Sequence, residues 1–133
     1  MCWLSKFAPV LKVAEADIPV KKVVRIIDGE ISSPCYSKAK WVPKVIYEEV
    51  IGSIIYTPFK DYIINEGLHS CSDIEYRNGC FVNKSTKGSR VLFAAFPDMH
   101  IYNAIIPKGA KYYVNEHGKY VSNKLKLIDL CVG

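Results

Sequence analysis

The sequence predicts an α+β fold that is predominantly antiparallel β: a single compact sheet or partly closed barrel with one or two short helices. Three observations predict it. Nine tyrosines and many Val and Ile residues supply the branched and aromatic side chains that suit a pleated, half-buried surface. Short apolar runs alternate with turn residues such as Asp28-Gly29, Pro97-Asp98 and Pro107-Lys108-Gly109. Finally, Ser72-Asp73-Ile74-Glu75 matches the S-x-x-E capping box that opens a helix.

Taken in order, residues 1–17 open with a broken apolar pattern, and Val13 to Asp17 reads as a single helical turn ended by Pro19. Val20 to Ile27 is the first strong strand, with Val24 and Ile26 on one face and Val23, Arg25 and Ile27 on the other. Asp28-Gly29 turns the chain. Glu30 to Val42 reads as a loop or irregular edge anchored by Trp41. Lys44 to Val50 and Ile54 to Thr57 are strands, and Tyr62 to Ile64 leads into Glu66-Gly67-Leu68-His69-Ser70-Cys71.

A helix of one or two turns then follows from Ser72, stopped by Asn78-Gly79. Cys80 to Val82 and Arg90 to Phe96 are strands joined by a polar loop from Asn83 to Ser89. Val91 to Phe96 is the longest apolar run and the expected central strand. Ile101 to Ile106, Tyr112 to Val114, Tyr120-Val121 and Leu125 to Val132 complete the sheet, with Asn115-Glu116-His117-Gly118 as a hairpin loop. The Leu125 to Cys131 stretch is the expected exposed edge.

A chain of 133 residues is expected to form one domain, residues 1–133. Its apolar share of 50% against 23% charged belongs to a globular chain and not to a disordered one. The net charge of +5 rests on 15 lysines and only three arginines. Arginine is the better residue for bidentate phosphate and base recognition, so this balance argues against specific nucleic-acid reading and leaves only weak, nonspecific attraction to polyanions. No run reaches the length of a membrane span, and Lys6, Pro9 and Lys12 interrupt any signal-like apolar core. Five cysteines without a CxxC pair read as free thiols in a cytoplasmic protein.

The chemistry-bearing cluster is His69-Ser70-Cys71 behind Gly67. A helix starting near Ser72 would aim free N–H groups at an anion beside His69. The competing reading gives His69 a structural hydrogen bond and the serines a capping role. A Cys–His nucleophile needs an orienting Asn or Asp that the sequence does not name. His69, Cys71 and Cys80 do not have the paired spacing of common zinc sites, so neither a metal nor a cofactor is expected. Lys108 to Tyr113 interleaves lysine and tyrosine as a sheet face for stacked bases would, though a solvated hairpin explains it as well. Arg25, alone among apolar residues, either pairs with Glu48 or Glu49 at a sheet edge or meets an anionic ligand. The candidate ligand-binding set is therefore His69, Ser70, Arg25, Lys108 and Tyr113.

Met1-Cys2, Ala16-Asp17-Ile18-Pro19-Val20, Glu66-Gly67-Leu68-His69-Ser70 and Ile105-Ile106-Pro107-Lys108-Gly109-Ala110-Lys111-Tyr112-Tyr113 together resemble a group of small uncharacterised proteins of Bacteroides-type gut bacteria and their phages or mobile elements. That resemblance implies a compact cytoplasmic domain and no catalytic role. A looser resemblance is to ADP-ribosyltransferase-like folds, in which Arg25, or His69 with Ser70, would take catalytic parts. Their expected glutamate has no counterpart, since Glu116 falls in a turn. The expectation is a non-enzymatic binding or accessory module for a small ligand or protein partner. A nucleotide-using enzyme and a weak nonspecific nucleic-acid binder are the alternatives.

Overall fold

A computed structural model describes residues 3–34, 40–84 and 90–131, and among them sixteen strands and no helix form. The first six strands are β1 (Trp3–Ser5), β2 (Lys12–Val13), β3 (Ile18–Ile27), β4 (Glu30–Ser32), β5 (Lys40–Trp41) and β6 (Ile46–Glu48). Next come β7 (Ile55–Tyr56), β8 (Tyr62–Ile64), β9 (Leu68–Cys71), β10 (Ile74–Arg77) and β11 (Cys80–Asn83). The last five are β12 (Arg90–Ala94), β13 (Met99–Ile106), β14 (Lys111–Val114), β15 (Lys119–Ser122) and β16 (Lys124–Leu130).

The expected α+β fold with short helices is overturned. The chain is all-β, 57% strand and 0% helix, and it forms three antiparallel sheets, none closed, where one sheet or partly closed barrel with one or two short helices was expected. The helix expected after Ser72 is instead the β10–β11 hairpin, in which Ile74 pairs with Asn83 and Arg77 with Cys80. The reason lies in Asn78-Gly79, whose φ angles of 51° and 77° are both positive. A two-residue turn of that kind matches the right-handed twist of paired strands. It therefore commits its flanks to a hairpin, and the capping-box residues become strand. The helical turn expected over Val13 to Asp17 is likewise absent. Val13 ends β2 against Lys111 of β14, and the Ala14 N–H donates to the Ala110 carbonyl at 2.9 Å.

β3 is the centre of the ten-stranded main sheet. It pairs along its length with β13, and on its other side with β9 at Lys21–Cys71 and with β4 beyond Arg25. Its alternation decides the layers. Val20 and Val24 point into the largest core with Leu68, Ala104, Ile106 and Leu125, while Val23 faces the opposite side with Cys71 and Met99. The main sheet curls around the first of these faces. Four strands separate β5 from β6 in the pairing order, which on a flat sheet would place them about 24 Å apart. The Trp41 and Tyr47 rings nonetheless lie 4.7 Å apart.

The two three-stranded sheets clad the other face. The β1–β8–β7 sheet seals Trp3 and Ile64 against Val121, and the β10–β11–β12 sheet seals Ile74 and Phe81 against Val23 and Met99. The Val91 to Phe96 run is thus not central. Among the described residues β12 pairs only with β11, and Val91 is 67% exposed. In the Leu125 to Cys131 stretch, expected as an edge, β16 pairs with β13 on one side, while on the other β6 covers only Lys124 to Lys126. The Glu30 to Val42 segment contributes β4 and β5, and Trp41 is buried as expected. Cys2, Cys35 and most of the Asn83 to Ser89 loop lie outside the described residues.

Candidate functional site

The Glu66 to Cys71 stretch becomes β9, clamped between β15 and β3. Gly67 sets its entry. Its φ of 134° is open to glycine, and an added Cβ would stand 2.5 Å from Val121 Cγ2. Strand alternation then splits the cluster. Leu68 and Ser70 face the large core, whereas His69 and Cys71 face the cladding sheets. Ser70 is 3% exposed, and its buried hydroxyl has no hydrogen-bond partner among the described residues.

His69 lies opposite Val121. Its Nε2–H donates to the Asn65 carbonyl at 3.0 Å, and its buried Nδ1 has no partner among the described residues. Burial is the main force on its titration, and nearby Lys119 and Lys22 add to it, so the imidazole pKa falls from 6.5 to about 4. His69 is therefore neutral at physiological pH. Burial likewise pushes the Cys71 thiol up to about 11. A neutral imidazole beside a protonated thiol gives no activated nucleophile. The His69 carbonyl is also engaged, accepting from Lys22 Nζ at 2.9 Å, and that ammonium sits 5.6 Å above the Trp41 ring.

The five candidate residues do not converge. Tyr113 and His69 both pair with Val121, so they share one row about 10 Å apart, with Trp3 packed on the Tyr113 ring. Arg25 is four residues along β3 from the Cys71 pairing, about 13 Å away. Its Nε donates to Asp98 Oδ2 at 2.7 Å, which makes Asp98 an ion-pair partner of Arg25. That hydrogen bond holds the Asp98 carboxyl below its usual range. Lys108 sits in the exposed β13–β14 turn, where its backbone N–H donates to Asp17 Oδ1 at 2.9 Å. Beside it runs a shallow cleft of about 480 Å³ between the Lys12 to Ile18 segment and Tyr112.

A second polar group joins the sheets. Glu116 accepts from the Ser5 hydroxyl at 2.9 Å and the Lys6 N–H at 3.2 Å, and Asn83 Nδ2 donates to the His117 carbonyl at 3.0 Å. Burial alone would raise the Glu116 pKa, but these donors and its own backbone N–H lower it. This junction of the β1, β11 and β14–β15 segments serves the fold.

The residues that the sequence reading missed lie on the β1–β8–β7 sheet. Leu4, Ile63 and Ile55 stand directly opposite one another on its outer face. Ile55 is 48% exposed and Tyr56 56%, and at the hairpin tip Phe59 is 87% exposed. The tip is an ordered turn, closed by Thr57 N–H to the Asp61 carbonyl at 2.9 Å and Lys60 N–H to the Thr57 carbonyl at 3.0 Å. Tyr56 and Tyr62 meet edge to face at 4.8 Å at its base. The signal for this face was present in the sequence: the ten residues Val50 to Phe59 carry no charge.

No family model, curated protein or solved structure matches the chain. Its class therefore rests on its own architecture, an all-β protein of one curled sheet clad by two small ones. Among the described residues, no helix is long and apolar enough to cross a membrane, and no three His, Cys, Asp or Glu residues are grouped to hold a metal ion.

Proposed function

We propose that the protein is a non-enzymatic binding module that engages another polypeptide through the outer face and tip of its β1–β8–β7 sheet. One observation carries this reading: the Leu4–Ile63–Ile55 row leads to a rigid tip that presents Phe59 at 87% exposure. Isolated apolar residues at a surface are ordinary, but a contiguous apolar patch on an ordered element is characteristic of a contact surface. Aromatic anchors on rigid supports carry most of the energy of such contacts. The free thiols Cys71, Cys80 and Cys131 fit a cytoplasmic setting. An accessory role in a bacterial or mobile-element protein family is the broader context of this reading. The same reading makes His69 and Ser70 structural, and Arg25 a partner of Asp98.

A photo-crosslinking amino acid at position 59, compared with the same group at position 91, tests the proposal in source cells. A discrete polypeptide adduct at 59 that Ile55→Lys abolishes is the expected result. Equal labelling at 91, or none at 59, contradicts it. The nucleotide-using alternative has its own test: a rise in melting temperature with NAD or nucleotides at high concentration would favour it over the binding module.

A further inference from the structure

We infer that the β1–β8–β7 sheet is a lid, which swings off the main sheet as one body about a hinge at Gly52 and Gly67 when a latch at Glu116 releases it. The binding face proposed above lies on the outside of this same sheet. Among the described residues, no strand of the lid shares a ladder with the main sheet. A sheet held through side chains can separate without breaking its own strand pairing, and moving elements are drawn from such weakly attached units.

The hinge and the latch lie at opposite ends of the lid. At one end the chain passes between lid and main sheet twice, side by side: residues 49–54 lead from β6 into β7, and residues 65–67 lead from β8 into β9. The Gly52 N–H donates to the Glu66 carbonyl at 3.0 Å, which ties the two passages into one narrow strap. A Cβ at Gly52 would stand 2.8 Å from the Glu66 Cβ, so this close approach depends on glycine. A few loop residues of this kind suffice to absorb a hinge rotation. Trp3 stands opposite Ile64 and Ser5 opposite Tyr62, so Ser5 marks the end away from the strap. There the turn between β14 and β15 holds β1. The Ser5 hydroxyl donates to Glu116 Oε2 at 2.9 Å, the Lys6 N–H to Glu116 Oε1 at 3.2 Å, and Asn115 Nδ2 to the Leu4 carbonyl at 2.6 Å. One carboxylate thus carries both bonds at the outer corner. Beyond it, residues 6–11 run to β2 mostly exposed and outside any strand, and six extended residues reach about 20 Å, which leaves slack for opening.

The floor under the lid is mixed. Trp3, Ile64 and Val121 pack there fully buried, with Ile51 and Tyr113 beside them. Strand alternation places Lys119, 7% exposed, and His69 on the same face as Val121. The β10–β11–β12 sheet is seated differently, on Val23, Cys71 and Met99 with Ile74 and Phe81 of its own. Lifting the β1–β8–β7 sheet returns an ammonium and an imidazole to water, which offsets part of the cost of exposing the apolar residues. The Trp3 indole N–H, donating to the Lys119 carbonyl at 2.8 Å, is the buried bond that crosses from lid to floor.

Hydrogen–deuterium exchange of the full chain, read by NMR proton by proton, tests this. In the wild type the Trp3 indole proton is expected to exchange about tenfold or more faster than the β8 amides, which stay bonded inside the lid, and the β3 amides of the main sheet. Glu116→Ala and, separately, Ser5→Ala are expected to speed the indole proton about tenfold further and leave the β8 and β3 amides protected. Asp98→Asn, which acts on β3 away from the latch, leaves all three unchanged. Protection of the β3 amides reports folding in each variant, so either latch variant suffices if the other fails to fold. A Trp3 proton as slow as the β3 amides in the wild type overturns the inference, as does one indifferent to the latch substitutions. Trp3 and β8 protons exchanging together also overturn it, because the sheet would then be melting in place and not swinging.

Discussion

β9 and the β7–β8 hairpin present opposite cases. β9 carries polar residues inside the protein: His69 is half-buried between sheets, with its Nε2–H held by Asn65 and its ring neutral. The hairpin carries apolar residues outside, ending in Phe59 at 87% exposure. The polar cluster looks like chemistry in the sequence; in the fold Gly67 sets the entry of β9 and the His69 Nε2–H donates to the Asn65 carbonyl. The hairpin looks unremarkable in the sequence, and it leaves the Phe59 ring at its tip almost wholly exposed. A buried polar group and an exposed apolar one both depart from the usual distribution, and the exposed one is the departure that a partner would relieve.

Substitutions sharpen the contrast. The largest effect is expected at Gly67. Gly67→Ala puts a Cβ against Val121 at a φ of 134°, and it should destabilise the fold by about 3 kcal/mol or more, measured by urea denaturation. Next is the pH dependence of His69. The unfolded imidazole binds a proton near pH 6.5 and the folded one near 4, so between these values the unfolded state holds more protons. The His69 contribution is thus complete above about pH 6.5 and is lost as pH falls toward 4, on the order of 3 kcal/mol in all. Thermal melts from pH 7 to 4.5 should show this slope, and His69→Gln should flatten it.

Cys71, with its thiol pushed to about 11, should resist alkylation in the native protein and react only on unfolding, as mass mapping of labelled cysteines would show. Asp98→Asn should have a smaller effect on stability than any change at Gly67, and one that shrinks with added salt, because its pair with Arg25 is partly open to solvent. Phe59→Ser should change stability least, by about 0.5 kcal/mol or less, while removing binding.

Much of the strand order was legible because alternation is a local signal. β3, β13 and the β14–β15 hairpin follow from their branched residues and the turns that bound them. The β10–β11 hairpin was misread because Asn-Gly ends a helix and also closes a two-residue hairpin, and only the strand alternation of Ile74 to Arg77 separates the two. β12 was misplaced because a fully apolar run reads the same whether both faces are buried or one is left bare. In β12, Leu92 and Phe93 pack on the core cluster while Val91 stays out. The polar cluster at His69 was visible, but which of its two alternating faces meets the large core depends on pairing with β15 and β3, which no local pattern encodes. Arg25 and Asp98, 73 positions apart, meet for the same reason.

The most direct measurement compares Phe59→Ser with His69→Gln in one preparation, reading thermal stability and binding together. Binding lost with an unchanged melt for Phe59→Ser, and a lowered melt with binding retained below the transition for His69→Gln, is the predicted result. Binding that survives Phe59→Ser but disappears in a folded His69→Gln protein would contradict the account.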